Sequence, residues 1–76
     1  MIIKFLDIKY DFDWVYAEAY DGDSDVRCKI KVHRREEKFE AFGDYTGQMK
    51  YASWFLRDAV NNRKLRMKKE WTVTFG

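Results

Sequence analysis

The chain opens on Ile2 to Lys9, a β-rich stretch whose apolar positions alternate poorly, and passes into Tyr10-Asp11-Phe12-Asp13, where aspartate can cap its own backbone into a turn. Trp14 to Tyr20 alternates cleanly: Val15, Ala17 and Ala19 fall on one side, Trp14, Tyr16, Glu18 and Tyr20 on the other, which is the period of a strand. Asp21-Gly22-Asp23-Ser24-Asp25 predicts a hairpin connection, with Asp-Gly supplying the positive φ angles of a reversal. The next segment, VRCKIKVHR, has the strongest periodicity in the chain. Val26, Cys28, Ile30 and Val32 point one way and Arg27, Lys29, Lys31 and His33 the other. Arg34 to Glu37 predicts a polar reversal, and Lys38 to Phe42 a short fourth strand running back beside the third.

Gly43 to Gly47 breaks this rhythm, and Asp44 or Thr46 can cap the helix that follows. From Gln48 to about Lys64, Met49, Ala52, Phe55, Leu56, Ala59 and Val60 share one face at the helical period. Lys69 to Phe75 alternates again, with Trp71, Val73 and Phe75 inward. The order β-β-β-β-α-β predicts an α+β fold: a mainly antiparallel sheet with one helix packed on one face and the other face open to water.

The 76 residues contain no proline and no linker-like stretch, so residues 1-76 read as a single domain with a thin core. A single cysteine excludes an internal disulfide and fits a reducing, cytoplasmic compartment. The first residues lack the long uncharged apolar run of a signal peptide or membrane span, so no membrane role is expected. Charge is polarised. Up to Asp25, Lys4 and Lys9 stand against seven carboxylates, whereas thirteen cations stand against six carboxylates from Val26 onward. Such asymmetry predicts a partner that reads charge.

Catalytic constellations are missing from the pattern. His33 has no serine or cysteine placed as its nucleophile and reads as a solvated surface residue; Cys28, on the opposite strand face, reads as a small buried hydrophobe. The two cannot share a zinc ion. Asp21, Asp23 and Asp25 match the opening of a calcium loop, but its glycine and closing glutamate positions are Val26 and Val32, leaving a hairpin with solvated carboxylates. Neither an enzyme nor a metal or cofactor site is expected.

The open sheet face is more informative. Arg27, Lys29, Lys31 and His33 form a basic row beside Trp14, Tyr16 and Tyr20. Aromatics among cations suit a protein hot spot, and equally a single-stranded nucleic acid; the plain alternative is a solvated face whose lysines resist edge pairing. On the helical wheel Trp54 falls among Lys50, Arg57, Asp58 and Asn61, opposite the apolar stripe, and is expected to be exposed unless a loop covers it or Arg57 stacks on it. Arg63 to Lys69 (RKLRMKK) adds a third basic patch, read as a helix C-terminus that favours cations.

Several segments together carry a family resemblance: the opening IIKFLDI strand, Ala19-Tyr20 before an acidic-Gly turn, VRCKIKV, Phe42-Gly43-Asp44 and Ser53-Trp54-Phe55. Over about its first three quarters the chain resembles a small phage anti-CRISPR family of the type I-F class, whose members bind the backbone of the Csy surveillance complex and block target-DNA recognition. The resemblance implies a protein-protein inhibitor, with Tyr20 matching the family's second-strand contact tyrosine. A first-strand tyrosine is replaced near Leu6, a third-strand glutamate by Lys31, and the family's final helix by the Trp71 to Phe75 strand. Together with the open face, this selects Tyr16, Tyr20, Arg27, Lys29, Lys31, Trp54 and Arg57 as candidate partner-binding residues. A CRISPR-Cas surveillance complex is the expected partner of a monomer or dimer, and a nucleic-acid-binding module is the alternative.

Overall fold

The computed structural model describes residues 2–74. The alternating segments become strands β1 (Ile2–Tyr10), β2 (Trp14–Asp21), β3 (Val26–His33), β4 (Phe39–Ala41) and β5 (Trp71–Thr74), with helix α1 (Gly47–Asn61) between β4 and β5. They build one five-stranded sheet in the order β4-β3-β2-β1-β5, every neighbouring pair antiparallel. The chain is therefore α+β, as its pattern predicts. Helix α1 packs on one face and contacts β1, β2, β3 and β5. Among the described residues no helix is long and apolar enough to cross a membrane.

The poor alternation of β1 has a specific cause. Leu6 pairs with Glu18 and Lys9 with Tyr16, so Asp7 and Ile8 together oppose Ala17 in a β-bulge. Asp7 takes a φ of 51° there, a conformation that aspartate tolerates better than most residues. The extra residue turns both Phe5 and Ile8 into the core, and the Ile8 amide donates to the Lys69 carbonyl at 3.0 Å. Phe5, Ile3, Ile30, Val32, Met49 and Leu56 form the fully enclosed centre; each such side chain contributes about 1.5–3 kcal/mol on burial. Trp71 and Val73 face inward opposite Phe5 and Ile3, while Phe75 lies outside the described residues.

Several local expectations are corrected. Helix α1 begins after Thr46, whose hydroxyl accepts the Met49 amide, and it stops at Asn61 rather than about Lys64. There the amides of Arg63 and Lys64 donate to the carbonyls of Val60 and Ala59, a Schellman closure that places Arg63 at a φ of 57°. The RKLRMKK run is consequently an irregular segment beyond the helix, with only Leu65 buried. Phe55 is exposed, and Ser53 takes the core-facing position instead. Its hydroxyl donates to the Lys50 carbonyl, which lets a polar residue sit there. In the β2–β3 hairpin the positive φ belongs to Asp25, at 53°, and not to Gly22. Lys38 and Phe42 fall just outside the short β4.

Asp21 is also not a solvated loop carboxylate. It is fully buried at the end of β2, where it accepts the amides of Asp23 and Ser24 and the Thr46 hydroxyl at 2.8 Å. One carboxylate thus ties the β2–β3 turn to the N-cap of α1.

Candidate functional site

The helix leaves the second sheet face uncovered, and register decides what stands on it. Across β1, β2 and β3 the rows run Lys4, Tyr20, Arg27; then Leu6, Glu18, Lys29; then Lys9, Tyr16, Lys31, with Trp14 and His33 closing the end. Because residues paired across antiparallel strands share a face, Tyr16, Tyr20, Arg27, Lys29 and Lys31 come together here. Trp54 and Arg57 do not, because they belong to α1 on the opposite side of the sheet.

The side chains of this face hold one another. Arg27 pairs with Glu18 at 3.0 Å and lies over the Tyr20 ring; Lys31 pairs with Glu40 at 3.5 Å and sits 4.2 Å from the Trp14 ring centroid. The Tyr16 hydroxyl donates to Asp11 and the Tyr20 hydroxyl to Asp25, so carboxylates pin the tyrosines from both ends of β2. The hydrogen bond to Asp25 and the Asp25 charge raise the Tyr20 phenol above its ordinary range; desolvation, then the Asp11 bond, do the same for Tyr16. Asp11 is lowered, chiefly because it accepts the amides of Trp14 and Asp13. Both rings are consequently neutral, fixed amphipathic surfaces at neutral pH. Among the described residues Lys4, Lys9 and Lys29 make no ion pair, so their ammonium groups are available to a partner.

The β1 bulge also shapes this face. A concavity of about 530 Å³ opens beside it, walled by Tyr16 and Phe42, with Lys9, Lys29 and Lys69 at its rim and Asp7 and Glu18 among them. Sequence reading missed it, since its only trace is the broken alternation at Asp7-Ile8.

His33 is not a solvated surface histidine. It projects from the open face but is only 7% exposed, packed edge-on against Trp14 at 4.9 Å. Its Nδ1 accepts the amides of Arg35 and Glu36, so it caps the β3–β4 turn. Cys28 lies buried on the other face of β3, away from it. Among the described residues no group of three His, Cys, Asp or Glu is placed to hold a metal ion.

Trp54 is half-buried against the core rather than exposed, and the Arg57 guanidinium lies 5.0 Å from its ring centroid. Arg57 also reaches the Glu36 carbonyl at 3.5 Å, so the β3–β4 loop helps to cover this region. The pair therefore reads as packing. No family model matches the chain, and neither a curated protein nor a solved structure is significantly similar to it.

Proposed function

We propose that this chain is a non-enzymatic inhibitor that binds a protein assembly through its open sheet face, and that the assembly is a CRISPR-Cas surveillance complex whose recognition of target DNA it blocks. The observation that carries the reading is the pair of tyrosines on β2, each held by a carboxylate and flanked by cations on a rigid sheet. Rigid aromatic anchors lose little entropy on docking, and a mixed-charge surround selects partners by complementarity. Leu6, Tyr20 and Lys31, the three positions that the family resemblance singles out, all stand on this face.

Two features favour a protein partner over nucleic acid here. Trp14 and Tyr20 each have a ring face occupied by the chain's own cation, which removes a stacking surface for bases. Glu18 and Glu40 neutralise two of the five cations in the β1–β3 rows. Binding and target-capture assays with the purified surveillance complex test the proposal: association that blocks DNA capture is expected, and no association at micromolar protein would overturn it.

A further inference from the structure

The strongest unassigned feature is the basic segment after α1, which lies apart from the open sheet face. Tyr10, Arg34, Asn61, Arg63, Arg66 and Met67 line a groove of about 630 Å³. A second hollow of about 350 Å³, lined by Phe12, Arg34, Arg35 and Asn61, adjoins it across the hydrogen-bonded Arg34–Asn61 pair, so the two lie in line as one track. No carboxylate lines either part, whereas four arginines do. Arg35 is engaged by Asp13, but Arg63 and Arg66 have no ion pair or side-chain hydrogen bond among the described residues. Arg34 is held in place by Asn61 and the Asp11 carbonyl, with the Asp11 carboxylate close enough to feel its charge, so Arg63 and Arg66 are the uncommitted guanidinium groups of the track.

The backbone adds a second observation. Arg63, Arg66 and Met67 all have positive φ, at 57°, 48° and 69°. Arg63 occupies the helix-closing position where glycine costs least, so the chain keeps a cation there against local preference. Beside these guanidinium groups stand exposed apolar surfaces: Tyr10 at 57%, Phe12 at 77% and Met67 at 95%.

We infer that this track binds single-stranded nucleic acid through its phosphate backbone. Guanidinium forks match phosphate oxygens; Arg34 and Arg35 lie over one face of the Tyr10 and Phe12 rings, at 5.4 and 4.4 Å, and the high exposure of both rings leaves surface for a base to stack on. Lys64 and Lys68 extend the charge along the same segment, with no acid between Arg63 and Lys68. A single carboxylate or phosphate would need only one end of the track; a strand uses its length.

The test is fluorescence anisotropy with a labelled single-stranded oligonucleotide of about 12 nucleotides, as DNA and as RNA. With three phosphate contacts, affinity should fall about 20-fold between about 50 and 200 mM salt. Arg63→Gly is the decisive variant, because it removes the cation while relaxing the turn. It should bind several-fold more weakly and show a salt slope shallower by about 0.7, yet melt at a higher temperature than the parent. Arg66→Ala should weaken binding comparably, and Lys50→Ala on the exposed surface of α1 should leave it unchanged. The inference is overturned by absent binding, by binding indifferent to both arginine substitutions, or by polyglutamate displacing the oligonucleotide at equal charge. The last outcome would mark an acidic protein as the ligand.

Discussion

Asp21 sits where three parts of the fold meet, and removing its carboxylate probes them together. In Asp21→Ala the Thr46 hydroxyl loses its acceptor, and the amides of Asp23 and Ser24 lose theirs. The turn residues are exposed, so their amides can recover water; Thr46 is only partly exposed and recovers less. Hydrogen bonds to a charged group contribute about 1.5–3 kcal/mol each, so with partial recovery by the turn the loss should be about 2–4 kcal/mol. A domain of this size has about 4–11 kcal/mol in total, so the variant should unfold at a much lower urea concentration with an unchanged slope. Thr46→Val removes the same bond from the other side, together with the N-cap. A double-mutant cycle between the two should give a coupling of about 1.5–3 kcal/mol. A coupling below about 0.5 kcal/mol would refute the reasoning, because the carboxylate would then not be holding the helix start to the turn.

Other outcomes follow from the same geometry. Arg63→Gly should stabilise the fold by about 1 kcal/mol, raising the melting temperature by about 4–8 °C, since glycine carries no penalty at that φ. Trp54→Ala should destabilise by about 1–3 kcal/mol in urea, through lost packing against the core and under Arg57. Phenolate absorbance should show Tyr16 and Tyr20 ionising above the ordinary tyrosine range. Since the folded state holds those protons more tightly, their contribution to stability is full below about pH 10 and fades as pH rises through the raised values. Asp25→Asn should bring the Tyr20 titration back toward the ordinary range and leave Tyr16 unchanged.

Much of the architecture was legible because β2 and β3 obey a two-residue period without interruption. Val15, Ala17 and Ala19 against Tyr16, Glu18 and Tyr20 fix which side chains meet the helix, and the candidate face follows. What escaped were features set by tertiary partners. The bulge at Asp7-Ile8 cannot be told from a weak strand until Ala17 is known to oppose it. Asp21 and His33 look like ordinary polar loop and surface residues, and only their hydrogen bonds to Thr46 and to the Arg35 and Glu36 amides explain their burial. The helical period continues past Asn61 in composition, but the Schellman closure at Arg63 ends it. Trp54 took the alternative to exposure that the sequence also offered: Arg57 stacks on it, and the β3–β4 loop reaches that flank of α1.

The affinity of purified surveillance complex for the parent chain, Tyr20→Ala and Trp54→Ala, measured at a temperature where all three are folded, tests the central claim most directly. The open sheet face predicts at least a tenfold loss for Tyr20→Ala, about what a hot-spot aromatic contributes, and near-parental binding for Trp54→Ala. Undiminished binding by Tyr20→Ala, or a loss confined to Trp54→Ala, would place the working surface elsewhere and contradict the account.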